Sequence, residues 1–180
     1  LEAAHRIGVV HRDIKPDNIM LEEGPQHEQI VKILDFGIAT LKAGLGEVTG
    51  EVVTIGTPEY MSPEQAAGER EPDHRADIYA VGVLFYELLS GKVPFRGETI
   101  VDTLLMHLIQ PLEPIPSKFE IPFIVEEIVA HAMKKDVEQR YQNAREFADA
   151  CREVLALLRG ETPQTRHTQS ITRRNRKDTN

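Results

Sequence analysis

Apolar residues recur at helical spacing along most of the chain, which predicts a mainly helical protein. Residues 78–89 are apolar on nearly all sides and are followed by Gly91, so we expect a buried central helix that ends at that glycine. A Pro-rich stretch, 111–116, separates two of the other predicted helices. The apolar faces of three further predicted helices are Ile100, Val101, Leu104, Leu105, Leu108 and Ile109, then Val125, Ile128, Val129, Ala132 and Met133, then Phe147, Cys151, Val154, Leu155 and Leu158.

Shorter signals mark helix starts before the central helix. Ser62 precedes Pro63, and Gln65 stands three residues after Ser62, which predicts a capping box and a short helix. Asp73 is predicted to cap the central helix. Residues 1–8 show helical spacing without a capping residue, so we expect the chain to start inside a helix of a longer protein.

One pair of short apolar runs predicts a β-hairpin. Residues 19–21 and 30–34 are the predicted strands, joined by a turn at Gly24. The residue that enters the first strand and the residue that leaves the second lie at the same open end of a hairpin, where neighbouring strands are about 5 Å apart. Asn18 and Asp35 are therefore expected to lie close together.

Two segments show little periodicity. Residues 38–61 are predicted to form a long loop, and loops of that length are usually functional or disordered. Residues 159–180 are polar and basic, with too little apolar surface to fold alone. We interpret this tail as a flexible linker, with a docking segment for lipid or nucleic acid as the alternative.

Composition and charge narrow the class of protein. The 180 residues are 41% hydrophobic and 28% charged, as in globular domains, and the net charge of −8 argues against a dedicated nucleic-acid binder. A single cysteine, Cys151, indicates a reducing compartment, so we expect a cytoplasmic location. No apolar run reaches the roughly 20 residues of a membrane span, and no secretory signal is present. We expect membrane contact only through the tail or through further parts of a longer protein.

Residues 11–18 read His-Arg-Asp-Ile-Lys-Pro-Asp-Asn, and residues 35–37 read Asp-Phe-Gly. These motifs resemble the catalytic and magnesium-binding loops of protein kinases. Residues 56–64 resemble that family's substrate-docking segment, with Ser62 in place of a more familiar alanine. The resemblance covers residues 1–158 and implies the large lobe of an α+β kinase fold, mainly α with one small hairpin, without the small lobe.

The resemblance implies a role for each residue of the catalytic motifs, with ATP and Mg²⁺ as cofactors. Asp13 would accept or orient the proton of the substrate hydroxyl, and Lys15 would neutralise charge on the transferring phosphate. Asn18 and Asp35 would supply oxygen ligands for Mg²⁺ and so bind ATP. Met20 would form the floor of the adenine pocket.

Other matched residues would determine substrate class or support the scaffold. Thr57 would contact Asp13 and Lys15, and Lys15 with Thr57 resembles the Ser/Thr-specific branch of the family. The run Ser-Pro-Glu-Gln-Ala at 62–66 resembles bacterial receptor-type Ser/Thr kinases. The residues with an implied structural role are His11 stacked on Phe36, Gly37, Glu64 paired with Arg140, and Asp77 of the central helix.

Arg12 precedes the catalytic aspartate directly, which suggests regulation by phosphorylation. A phosphate on the 38–61 loop could pair with this arginine and order the loop. Thr49 is the first candidate for that modification and Thr54 the second; the alternative is that both are ordinary loop threonines.

We therefore expect the large lobe of a serine/threonine protein kinase. The alternative is a non-catalytic lobe that docks proteins through its Pro-rich and helical surfaces. Expected partners are protein substrates with Ser or Thr acceptors and a second kinase molecule for trans-autophosphorylation, with no specific nucleic acid. Because a Gly-rich loop and a small-lobe lysine are missing from the sequence, the isolated chain is expected to be inactive.

Overall fold

The computed structural model describes residues 1–36, 57–69 and 71–161. These residues are mainly helical, with one antiparallel two-stranded sheet, as the sequence predicts. In chain order the elements are α1 (Glu2–His5), β1 (Ile19–Glu23), β2 (Gln29–Ile33), α2 (Pro63–Ala66), α3 (Arg75–Ser90), α4 (Ile100–Ile109), α5 (Phe123–Ala132) and α6 (Ala144–Leu158). Short 3-10 helices cover Pro16–Asn18, Pro58–Tyr60, Ser117–Phe119 and Val137–Gln139.

Helix α3 is the centre of the core, which confirms the predicted central helix. It packs against α5 and α6 on one side and against Pro58–Tyr60 on another. Gly82 lies where α3 meets α5, and a side chain there would come within 2.8 Å of Met133, so only glycine permits this approach. The helix ends at Gly91, whose φ of 75° is the left-handed conformation that glycine adopts readily.

The predicted hairpin is confirmed, with strands slightly longer at the turn. Strands β1 and β2 pair from Ile19 opposite Ile33 to Glu23 opposite Gln29. The backbone amide of Gly24 donates to Glu28 O at 2.8 Å and closes the turn. The register therefore fixes which residues meet at the open end of the hairpin.

The capping box at Ser62 is also confirmed, and it starts α2. The expectation for Asp73 was wrong by one position, because His74 is the N-cap of α3. Asp73 still accepts a hydrogen bond from the Arg75 amide at 2.8 Å, and the Arg75 guanidinium holds the same carboxylate. The predicted long loop contains a turn of 3-10 helix, Pro58–Tyr60, at its described end.

Two predicted apolar faces are only partly buried. On α4 the buried side is Thr103, Leu104 and His107, because this helix packs mainly against α2 and Pro58–Tyr60. Four residues of the predicted α4 face therefore contact solvent: Ile100, Val101, Leu105 and Ile109. On α6, two residues of the predicted face, Leu155 and Leu158, are also exposed. By contrast, the predicted face of α5 is fully buried. Within the described residues, no helix combines the length and apolarity that a membrane crossing requires.

Candidate active site

Asp13 is the centre of a polar cluster on the loop between α1 and β1. Its Oδ2 lies 2.9 Å from Lys15 Nζ, and both side chains remain about one-fifth exposed, at 24% and 19%. Asn18 Nδ2 donates to Asp13 O at 2.7 Å and to Asp13 Oδ2 at 3.0 Å. Pro16 starts the 3-10 turn that brings Asn18 back to Asp13. The carboxylate is thus held between a cation and an amide while it still faces solvent.

The hairpin brings Asp35 to the end where Asn18 lies, as the sequence predicts. The Leu34 amide donates to Asn18 O at 2.8 Å, so the backbone that leads into Asp35 is hydrogen-bonded to Asn18. Asp35 is exposed and has a φ of 50°, in the left-handed region that non-glycine residues adopt infrequently. The hairpin register therefore places these two residues at the same open end, and no hydrogen bond joins their side chains in the part of the chain that the structure describes.

The donor set at this end of the hairpin fits Mg²⁺ bound together with phosphate. Asn18 uses its Nδ2 for Asp13, which leaves Oδ1 without a partner among the described residues. Mg²⁺ is usually bound by one or two carboxylates together with substrate phosphates, not by an all-protein cage. The described residues contain no group of three or more His, Cys, Asp or Glu side chains arranged to hold a metal.

His11 is fully buried and both of its ring nitrogens are used. Its Nδ1 accepts a hydrogen bond from the Asp13 amide at 3.2 Å, so the ring proton lies on Nε2, which donates to Leu34 O at 2.9 Å. The ring also packs on Phe36, with centroids 4.9 Å apart. His11 therefore connects the 11–18 loop with the end of the hairpin at Leu34 and Phe36, and it has no free nitrogen for proton transfer.

Asp77, at the start of α3, holds the 11–18 loop by its backbone. Its carboxylate is 1% exposed and accepts hydrogen bonds from the His11 amide at 2.8 Å and the Arg12 amide at 2.7 Å. His5 of α1 adds a third contact, with Nε2 at 2.8 Å from Oδ2. These bonds hold the backbone of Arg12 at a φ of 66°, and this conformation determines how the chain continues into Asp13.

A buried ion pair attaches α2 to the core. Arg140 Nη1 and Nη2 donate to the two carboxylate oxygens of Glu64 at 2.8 and 2.7 Å, with side-chain exposures of 0% and 5%. Next to Glu64, Gln65 Nε2 donates to Arg12 O at 2.9 Å. Helix α2 is therefore connected to both the core and the catalytic loop.

The remaining predicted site residues are less closely associated with the cluster. No hydrogen bond joins the Thr57 side chain to Asp13 or Lys15 within the part of the chain that the structure describes. Met20 is half-exposed on β1, opposite Lys32. Gly37, Thr49 and Thr54 lie outside the described residues.

Several polar residues of this region were missed by the sequence analysis. His5 and Gln65 contact the loop as described above, and Tyr60 donates to Glu87 Oε2 at 2.5 Å. Burial, together with Glu87, raises the pKa of Tyr60 far above its ordinary value. The sequence predicts only a capping role for Gln65. No periodicity or spacing in the sequence predicts that His5 contacts Asp77 or that Tyr60 contacts Glu87.

Comparisons with known proteins identify the family of the chain. The family described as "Protein kinase domain" matches residues 1–174. Serine/threonine-protein kinase Pkn1 of Myxococcus xanthus is 42% identical over 157 residues, which are 87% of this chain and 22% of that protein. The probable serine/threonine-protein kinase SCO3848 of Streptomyces coelicolor is 45% identical over 151 residues, 82% of this chain and 21% of that protein.

A third relative, serine/threonine-protein kinase PknB of Mycobacterium leprae, is 39% identical over 165 residues, which are 91% of this chain. The match covers 25% of that protein. The chain thus spans between a fifth and a quarter of the length of these relatives.

Proposed function

The chain belongs to the protein kinase domain family, and from that premise we propose that it supplies the catalytic loops of a bacterial-type serine/threonine protein kinase. The proposed reaction transfers the γ-phosphate of ATP to Ser or Thr hydroxyls of proteins. The observation that carries the proposal is the Asp13 carboxylate held by Lys15 and Asn18 and still open to solvent.

Asp13 is the proposed acceptor of the proton of the substrate hydroxyl. Its lone pairs are only partly used, because one oxygen contacts Lys15 and Asn18 while the side chain stays 24% exposed. A carboxylate in this state can orient a hydroxyl and take its proton when the new O–P bond forms. The Asn18 amide restricts the carboxylate to one orientation.

The phosphates of ATP are proposed to be bound directly by Lys15 and, through Mg²⁺, by Asn18 and Asp35. The Lys15 ammonium is partly exposed beside Asp13, where a cation stabilises negative charge on phosphate oxygens. When bound, Mg²⁺ with ATP supplies the transferable phosphoryl group and further positive charge. The oxygens of Asn18 and Asp35 are the donors that would hold that ion.

The names of the relatives and the residues of the docking segment support Ser or Thr as the acceptor. All three relatives quoted above carry the words serine/threonine-protein kinase in their names. Lys15 and Thr57 agree with that branch of the family in sequence. Protein substrates, a second kinase molecule as partner and a cytoplasmic location of this domain are part of the same proposal.

Regulation is proposed to act through Arg12. Its Nε is buried without a hydrogen-bond partner among the described residues, so the guanidinium has bonding capacity that a phosphate could use. Thr49 and Thr54 are the proposed sites of that phosphate. Mass mapping of the full gene product after incubation with ATP should find phosphate on one of them, and its absence from both would refute this part.

The catalytic proposal is tested in the full gene product with Asp13→Asn. We expect phosphate transfer to a Ser/Thr peptide library to fall by at least about 100-fold, since the proton acceptor is lost with little change in shape. Asp17→Asn is the matched control, because Asp17 is exposed on the same loop and contacts neither Lys15 nor Asn18 by a hydrogen bond. Equal activity of wild type and Asp13→Asn would contradict the proposal, and no transfer by either protein would favour a docking lobe.

A further inference from the structure

A second buried polar cluster lies between α3 and α4. At its centre is His107 of α4, which is 0% exposed. Its ring packs edge-on against Phe95, with centroids 5.0 Å apart, and against Tyr79, at 5.7 Å. A fully buried histidine needs partners for both nitrogens, because burying a polar group without a hydrogen bond is unfavourable.

One side of the ring is connected to α3 and to the loop after α5. Lys135 Nζ donates to Met106 O at 3.2 Å and to the Tyr79 hydroxyl oxygen at 3.4 Å. The Tyr79 hydroxyl has one hydrogen, and His107 Nδ1, 3.0 Å away, is its one acceptor among the hydrogen bonds of the described residues. A proton on Nδ1 would leave this buried hydroxyl hydrogen without an acceptor, so we assign Nδ1 as the acceptor and the ring proton to Nε2.

The helix that carries His107 packs against the 3-10 helix Pro58–Tyr60, and His107 is on the buried side of that helix. Nε2 is buried and has no hydrogen-bond partner among the described residues. The backbones of Glu59 and Pro58 oppose the lowering of the pKa of His107, as carbonyls near the ring would. The unpartnered N–H of His107 is therefore available to the carbonyls of a segment that packs against both α3 and α4.

The ring is a neutral donor at physiological pH. Burial, assisted by the charge of Lys135, lowers the pKa of His107 to about 3, against a smaller opposite effect of the two carbonyls. A neutral Nε2–H with fixed tautomer can orient carbonyls without adding a charge beneath them.

We propose that His107 is a positioning residue for Pro58–Tyr60, and that the hydrogen-bonded series from Lys135 through Tyr79 to His107 sets how this segment receives the protein substrate. The inference rests on the proposed function, since residues 56–64 resemble the substrate-docking segment of the family. The segment is connected to the 11–18 loop through α2 and Gln65, but no hydrogen bond or ion pair joins His107 to Asp13 among the described residues. His107 should therefore affect binding of the protein substrate and leave binding of ATP unchanged.

The test uses two replacements of His107 in the full gene product. An Asn side chain can reproduce only the Nδ1 position of the ring, whereas Gln can place an N–H near the Nε2 position. We expect His107→Asn to raise the KM for a protein substrate about fivefold, with the KM for ATP unchanged within about twofold. His107→Gln should restore the KM for the protein substrate to within about twofold of wild type.

His131→Asn is the matched control, because His131 lies on α5 with its ring against Tyr141, 4.1 Å away, and does not face Pro58–Tyr60. This variant should leave both KM values unchanged. The inference would be overturned if His107→Asn raised both KM values equally or raised neither. It would also be overturned if His107→Gln raised the KM for the protein substrate as much as His107→Asn does.

A second measurement does not depend on activity. The amides of Tyr60 and Met61 donate to Thr57 O and Pro58 O at 3.1 and 3.3 Å, so hydrogen exchange at these two positions reports on the segment. We expect His107→Asn to accelerate their exchange about fivefold and His131→Asn to leave it unchanged. If the wild type transfers no phosphate, the proposed function fails, while the exchange result still supports or refutes the role of His107.

The wild type provides the remaining check should His107→Asn fail to fold. Long-range ¹H–¹⁵N correlation spectra should show the His107 proton on Nε2, and a proton on Nδ1 would refute the inference. Tyr79→Phe removes the hydroxyl that fixes the tautomer of His107. This variant should also raise the KM for the protein substrate and leave the KM for ATP unchanged.

Discussion

Replacing Arg140 by methionine should destabilise the domain strongly, because this change leaves Glu64 as a buried charge without a partner. The guanidinium makes five hydrogen bonds: two to Glu64, and one each to the carbonyls of Lys134, Arg75 and Lys135. Methionine fills much of the same volume but provides none of these donors. The perturbation is therefore electrostatic more than steric.

The expected loss in the free energy of unfolding is about 3–5 kcal/mol, the range for removing one partner of a buried ion pair. The low side-chain exposures of Arg140 and Glu64, 0% and 5%, place this pair in that class, not among surface ion pairs. Glu64→Gln combined with Arg140→Met removes the unpaired charge and should recover at least about 1 kcal/mol relative to the sum of the single changes.

The assay is hydrogen exchange of the α3 amides across a urea series, in the full gene product. This measurement follows unfolding of the core around α3 without contributions from other parts of a longer protein. A loss below about 1 kcal/mol for Arg140→Met, or strict additivity in the double variant, would refute the reasoning.

Hydrogen exchange of the α3 amides also tests three further predictions about the free energy of unfolding. Gly82→Val should lower the free energy of unfolding by about 1–3 kcal/mol, because a side chain there meets Met133 at 2.8 Å; no loss would contradict the close approach of α3 and α5. Ser62→Ala should cost about 1 kcal/mol through loss of the capping box of α2, and an unchanged value would show that the box contributes nothing. The pKa of His107 lies near 3 in the folded protein and near its ordinary 6.5 in the unfolded chain, so the unfolded state binds an extra proton between these values. The free energy of unfolding should therefore fall as the pH drops below 6.5, and His107→Gln should reduce that slope by about 1.4 kcal/mol per pH unit, which an unchanged slope would contradict.

Features encoded by neighbouring residues could be predicted from the sequence. The hairpin follows from two apolar runs and a turn, and its register then determines that Asn18 and Asp35 lie at the same open end. The end of the central helix follows from Gly91, and the start of α2 follows from Ser62 and its capping box. In each case the deciding interaction lies within a few residues of the signal.

Features that depend on packing between distant elements could not be predicted in this way. The contact of His5 with Asp77 joins residues 72 positions apart, and that of Tyr79 with His107 joins residues 28 apart. The exposure of Ile109 on α4 has the same origin, because its spacing suits a buried face and only the position of the neighbouring elements leaves it in solvent. Periodicity shows that a face is apolar and does not show what covers it.

The turn of the hairpin offers a place where the protein tolerates change in length. Residues 25–28 are exposed at the end of the hairpin opposite to Asn18 and Asp35, and the strand register between the two ends holds the site independently of the turn. Each doubling of a flexible loop costs only about 0.6 kcal/mol in closure entropy. Inserted segments at this turn, whether acquired in evolution or grafted as a reporter, can therefore vary in length and sequence without displacing Asn18 and Asp35.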